Sequence, residues 1–241
     1  MIVSFRGVFR KFVSALNSID LSPVKDIPRL KGRKYISQLI AEGEHSHQDF
    51  KFAISDARKI ARSISAFANA EGGRLLIGVK DNGTVAGVRN EEDIFVVEQA
   101  ASLYCSPAVE VDFTAFSFDS NITVIRASIP RVAERPVRAQ EPDGSWRAYF
   151  RVADENIVAH PLMVRAWKSK SVSLSLTDEV SRLISLLELH PDGLDLAQIP
   201  KALSLSQRTT DGIIVNLLSS GIATFVYHAP KFLITLLSPD A

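Results

Sequence analysis

Residues 57–83 most constrain what this chain can fold into. Ala57, Ile60, Ala61, Ile64 and Ala68 recur at helical spacing, so one face of a helix there packs inward. Gly72-Gly73 follows, and glycine accepts the positive φ on which helices end. Leu75-Leu76-Ile77-Gly78-Val79 is an apolar run of strand length. Asp81-Asn82-Gly83 supplies the Asn-Gly turn of a tight hairpin, which makes Thr84-Val85 the expected returning strand. Just upstream, Asp49-Phe50-Lys51-Phe52 alternates polar and apolar, the mark of a half-buried strand. Ser55 or Asp56 can cap the helix between. The order strand, helix, strand, turn predicts an α+β fold with helices packed on a mixed sheet.

The flanking sequence extends this pattern. Phe5, Val8, Phe9, Phe12, Val13 and Leu16 share a helical face beside Arg6, Arg10 and Lys11. Such a basic amphipathic arm can meet a membrane surface, nucleic acid, its own domain or a second subunit. Pro23 and Pro28 among basic residues read as linker, so residues 1–33 form an N-terminal arm. Downstream, Asn90 heads a helix with Phe95, Val96 and Leu103 as expected core contacts. Val109 to Phe118 and Ile122 to Ile129 read as paired strands. Residues 130–145 read as a long loop carrying Arg131, Arg135 and Arg138, and loops of that length are often functional. Ala148 to Val152 is a last strand.

Several motifs in this region fall in a fixed order. They are Glu44, then Asp49-Phe50-Lys51, then Ala66 to Gly73 (Ala-Phe-Ala-Asn-x-x-Gly-Gly), then Ile77 to Gly83 (Ile-Gly-Val-x-Asp-x-Gly), then Gly87-Val88. Tyr149-Phe150-Arg151-Val152-Ala153 is a weaker match further on. With this order and spacing, residues 34–168 resemble the AlbA-like domain of the Schlafen family, also found in bacterial regulators. The resemblance covers roughly half of the chain. It implies nucleic-acid binding. Because some Schlafen members cleave RNA, it also implies an acidic set at Glu44, Asp49 and Asp81, with Lys51 neutralising a phosphate oxygen. Hard carboxylate oxygens suit Mg²⁺ or Mn²⁺. The family usually has Glu where this chain has Asp49. Plainer roles exist for each: Asp81 opens a turn, and Glu44 and Asp49 face solvent or pair with Lys51. His45 and His47, beside Glu44, read as exposed loop residues.

Beyond a Ser- and Lys-rich linker at 168–175 the pattern changes. Thr177 caps a helix with Val180, Leu183, Ile184 and Leu187 on one face. Asp195 is expected to cap a second helix, with Leu196, Ile199 and Leu203 inward. A third helix runs from about Gln207 to Ser219, and two strands follow. Three helices and a hairpin over 175–238 resemble a winged helix, whose third helix reaches base edges through positions such as Gln207 and Arg208, with Lys231 on the hairpin. Such a module also serves as a dimerisation device.

Charge narrows the options. The net charge is +1, but residues 1–41 carry eight Lys and Arg against two Asp, while residues 175–241 carry four against seven acidic groups. The phosphate contacts are therefore expected in the arm and at Arg131, Arg135, Arg138 and Arg151. The single cysteine, Cys105, excludes an internal disulfide and reads as a small buried side chain in a cytoplasmic protein. No apolar run reaches membrane-spanning length, and no Walker-type loop supports ATP binding. The expected protein is a homodimeric regulator that binds DNA or RNA without a cofactor. The alternative is a metal-dependent endoribonuclease acting through Glu44, Asp49, Lys51 and Asp81.

Overall fold

The computed structural model describes residues 29–52, 54–88, 92–169 and 175–237. Most of the expected basic arm, the Asn90 cap and the middle of the 168–175 linker lie outside the described residues.

Five strands form the first sheet: β1 (Arg29–Lys31), β2 (Gln48–Lys51), β3 (Gly73–Ile77), β5 (Asp112–Asp119) and β6 (Ile122–Ile129). Their order is β1-β5-β6-β3-β2. β2 runs parallel to β3, and β1 parallel to β5, while β6 is antiparallel to both its neighbours. The period of two divides the side chains between two faces. Phe50, Leu76, Phe116 and Val124 meet Ile36 and Leu39 of helix α1 (Arg33–Glu42) on one face. Leu75, Ile77, Ala115, Ile125, Ala127 and Ile129 meet Ile60, Ile64 and Phe67 of helix α2 (Ala57–Asn69) on the other.

A second sheet covers the far side of α2. It comprises β4 (Cys105–Ser106), β7 (Arg138–Gln140), β8 (Trp146–Val152) and β9 (Glu155–Val158), in the order β4-β7-β8-β9, all antiparallel. Helix α3 (Glu92–Leu103) packs beside α2. The central helix is thus buried from both sides, and Ser63, Ser65 and Asn69 are buried together with its apolar face. Asp56 caps it, accepting from the Arg58 and Lys59 N–H groups. Gly72 ends it at φ 79°, donating to the Phe67 carbonyl. Gly73 is required by packing, because a Cβ there would stand 2.3 Å from the Phe67 ring.

Some expectations are corrected. Gly78 turns the chain at φ 96°, so β3 stops at Ile77 and the hairpin reduces to one bridge, Val79 to Val85. Helix α3 buries Ile94, Val97, Ala100 and Ala101 and leaves Phe95 and Leu103 49% and 52% exposed. The small side chains face α2, where two helices must approach closely. The segment 130–145 is not one loop, since it contains β7, and β9 adds a strand that was not expected.

Helix α4 (Pro161–Lys168) leads into the C-terminal part. There α5 (Asp178–Glu188), α6 (Ile199–Leu203) and α7 (Gln207–Ser219) share a core with strands β10 (Leu194–Asp195), β11 (Ala223–His228) and β12 (Lys231–Leu236). The sheet order is β10-β12-β11. Asp195 therefore sits in a strand rather than heading a helix. Leu162 and Ala166 of α4 join this core, and Met163 packs with Ala148 and Ala159 on the other side. Among the described residues no helix is long and apolar enough to cross a membrane.

Candidate nucleic-acid interface

The acidic residues come together only in part. Asp49, at the sheet edge, faces α2. Its Oδ2 lies 2.7 Å from Lys51 Nζ and accepts from Ser63 Oγ at 3.3 Å, and its Oδ1 lies 3.8 Å from Arg151 Nη2. Glu44 bends back over β2, where its Oε1 accepts from the Phe50 N–H at 2.8 Å. Burial raises the Glu44 carboxyl above its ordinary value, and the adjoining Asp49 raises it further, against the Phe50 N–H and Lys51. Asp81 is exposed in its turn. The parallel register puts Asp49 level with Leu75, well before Asp81 in the chain. Among the described residues no three His, Cys, Asp or Glu side chains form a group able to hold a metal ion. Asp49 is already paired with Lys51 and faces Arg151, and Glu44 is turned onto the Phe50 N–H, so these residues as placed do not fit Mg²⁺ or Mn²⁺.

The raised Glu44 carboxyl has a consequence for stability. A carboxyl whose pKa is higher folded than unfolded stabilises the fold at low pH, and that contribution is lost as pH rises through the folded value. Glu44→Gln keeps the acceptor for Phe50 N–H and removes the titration. Its thermal midpoint is expected to exceed that of the wild type at neutral pH, with the gap closing toward pH 4. A gap that does not change with pH would show that the charge is not its cause.

Arg151 departs from expectation. Its side chain is 1% exposed and lies 4.8 Å over the Phe67 ring. It donates to the His45 and Gln48 carbonyls at 3.2–3.4 Å and to Asn156 Oδ1 at 2.9 Å. Asn156 in turn donates to Ser63 Oγ. A guanidinium so enclosed cannot reach a phosphate, and its work is to tie β8 and β9 to the 45–48 segment.

The three arginines of 131–138 have different surroundings. Arg131 pairs with Glu71 at 2.6 Å, both well exposed. Arg135 donates to the Asn69 carbonyl at 3.2 Å and lies 5.4 Å over the Trp167 ring. Burial lowers the Arg135 guanidinium from its ordinary value, and the neighbouring Arg131 charge lowers it further. Both line a cleft of about 580 Å³ between the two sheets' end and the C-terminal part, with Phe150, Trp167 and Phe225 among its walls. Arg138 is half-buried on β7, with no ion pair among the described residues.

Sequence reading missed what holds this wall in place. Asn69 Nδ2 donates to the Val137 and Tyr149 carbonyls, each at 2.8 Å, and its Oδ1 accepts from Val137 N–H at 2.8 Å. Ser65 Oγ donates to the Val137 carbonyl and accepts from Tyr149 N–H. Arg62 pairs with Glu141, which also accepts from Tyr149 Oη at 2.6 Å. Burial alone would raise the Glu141 carboxyl, but those two donors outweigh it and hold it low. In the C-terminal part, Arg208 is exposed at the start of α7, Gln207 donates to Asp211, and Lys231 pairs with Asp195 at 2.9 Å. Cys105 is buried, which pushes its thiol up to about 12.

These features define a class: an α+β domain whose central helix lies between two sheets, with a basic wall at one end. Residues 44–160 match the Schlafen, AlbA_2 family model, and that part of the chain is a Schlafen AlbA_2 domain. Among solved structures, the DIP2311 protein of Corynebacterium diphtheriae is similar at 17% identity and a TM-score of 0.39, over 81% of this chain and 46% of that one. The chain thus spans less than half of that relative. The N-terminal domain of a RecG-related protein of Nitrosomonas europaea is similar at 16% identity and a TM-score of 0.37, over 62% of this chain and 97% of that one. No curated protein matches the chain.

Proposed function

We propose that this protein binds nucleic acid in a regulatory role, with the wall formed by Arg131, Arg135 and Arg138 as its phosphate contact. The observation that carries the proposal is the placement of Arg131 and Arg135 on one cleft wall, close enough for one charge to oppose the other. A phosphate relieves that repulsion, and guanidinium groups match its oxygens two at a time. The Schlafen AlbA_2 domain agrees with this reading, and binding of this kind needs no metal ion. The C-terminal helices and sheet form a winged helix in this proposal. Arg208 at its exposed α7 terminus adds a contact or leaves the module to pair two copies as a homodimer. A cytoplasmic regulator of transcription is the role that accommodates both.

The test is salt dependence. Each phosphate contact contributes a slope of about 0.7–0.9 in log affinity against log salt. Arg131→Gln with Arg138→Gln is expected to lower the slope for labelled RNA or DNA by about 1.4–1.8. Arg135 is left in place because it also braces the loop. A slope that does not change would remove this wall as the interface. The same incubation with Mn²⁺ scores cleavage, and cleavage abolished by Glu44→Gln would replace binding with the nuclease reading.

A further inference from the structure

We propose that the part of the second sheet's outer face left open along β7 beside α4 is a platform for a single-stranded polynucleotide, on which Trp146 stacks a base while Arg138 and Arg135 lead the backbone into the cleft. This rests on the nucleic-acid reading above and narrows it to unpaired strands.

Strand alternation sets the platform. Trp146, Ala148 and Phe150 share one face of β8, while Tyr149 and Arg151 point to α2. Arg138 pairs with Ala148 and Gln140 with Trp146 in the β7–β8 register, so both belong to the outer face. Trp146 is 40% exposed, and no ring contact covers it among the described residues. About 13 Å along the strand, Phe150 packs at 6.1 Å from Trp167, which carries the Arg135 guanidinium on its ring. Phe150, Trp167, Arg135 and Arg131 then line the cleft. Met163 of α4 covers Ala148 between the two rings, so the open track follows β7, from the exposed indole past the unpaired Arg138 to Arg135, which is already stacked.

A lone exposed apolar ring carries no meaning by itself. Here the charge beside it decides. Glu141, the nearest carboxylate in the chain to β7, is held on the α2 side by Arg62 and Tyr149. Glu71 is engaged by Arg131. Glu134, exposed on the loop, and Asp143, exposed in the turn before Trp146 and holding only the Ser145 N–H, are acidic groups that oppose an anion here. Aromatic rings with guanidinium groups along one track are how proteins hold single strands, because every base has a face to stack and every linkage a charge. In a duplex those faces are covered by neighbouring bases. Hence the platform selects unpaired strands whichever sugar they carry.

The experiment titrates the full chain with a short labelled oligodeoxynucleotide, its RNA counterpart and the matching duplex. Both single strands are expected to bind more tightly than the duplex. Trp146→Ala is expected to weaken single-strand binding on the order of tenfold or more, with a smaller loss for duplex. Trp146→Phe keeps a ring and should restore most of the affinity, which separates stacking from misfolding. The DNA and RNA arms report whether the 2′-hydroxyl contributes. Single-strand binding that ignores Trp146→Ala, or an equal loss for duplex, overturns the platform and leaves the basic wall standing. A wild-type chain that holds none of the three probes overturns the nucleic-acid reading and the platform with it.

Discussion

Asn69→Leu is expected to destabilise the Schlafen AlbA_2 domain by about 3–5 kcal/mol, since each buried polar group left without a partner costs about 1–3 kcal/mol. Asn69 is fully buried at the last turn of α2. Its amide satisfies the Tyr149 carbonyl and both polar groups of Val137. Leucine keeps its branched shape but offers nothing to them. The Val137 carbonyl retains Ser65 Oγ at 2.9 Å, whereas Val137 N–H and the Tyr149 carbonyl have no such reserve among the bonds described. Urea unfolding of the full chain measures the loss as a shift of the midpoint. A cost below about 1 kcal/mol would mean that the strand ends rotate to find water. Function should follow stability, because Arg135 donates to the carbonyl of the same residue. The loop from 131 to 137 is therefore held by one side chain through two routes, and loosening it should also weaken nucleic-acid retention.

The helix that carries Asn69 shows what sequence can and cannot reveal. The apolar positions from Ala57 to Ala68 repeat at helical spacing, so the helix, its Asp56 cap and its Gly72 terminus were legible. Its second buried face was not. Ser63, Ser65 and Asn69 are short and polar, and periodicity assigns such residues to solvent. A clue was present: residues 63–70, Ser-Ile-Ser-Ala-Phe-Ala-Asn-Ala, carry no charge, and a helix without a charged side expects cover all round. The same physics explains α3. Phe95 and Leu103 look like core, but a helix packed against the alanine-rich α2 needs small side chains at the contact, so Ala100 and Ala101 went inward. Local pattern also could not foresee that Arg138 lies on a strand or that Asp49 pairs level with Leu75 while Asp81 falls beyond the end of β3, past the turn at Gly78. Both follow from strand register, which is decided by partners distant in sequence.

Arg151 is expected to behave as a buried structural cation, and Arg151→Met should cost about 3–5 kcal/mol. Two effects combine. The substitution leaves Asn156 Oδ1 without its donor and removes the guanidinium from the His45 and Gln48 carbonyls, which keep each other's backbone N–H. It also strips one of two cations from Asp49. The first effect should dominate, because Lys51 remains 2.7 Å from Asp49 while Arg151 stands at 3.8 Å, beyond hydrogen-bond range. Arg151→Lys tests this ordering. Lysine preserves the charge but has no planar fork to span two carbonyls and an amide, so it should lose nearly as much as methionine. Asp49→Asn should cost less than either, since asparagine still accepts from Ser63 Oγ and leaves Arg151 its carbonyl partners. The double variant Arg151→Met, Asp49→Asn should fall short of the two single losses added together, by the coupling expected of contacting groups, about 0.5–3 kcal/mol. A lysine variant as stable as the wild type would mean that charge alone holds this site and that the carbonyl bonds are incidental. Strict additivity would mean that Asp49 and Arg151 do not sense each other across 3.8 Å. In that case the polar cluster divides in two, with Glu44, Asp49 and Lys51 at the edge of the first sheet and Arg151, Asn156 and Ser63 fastening the second sheet to α2.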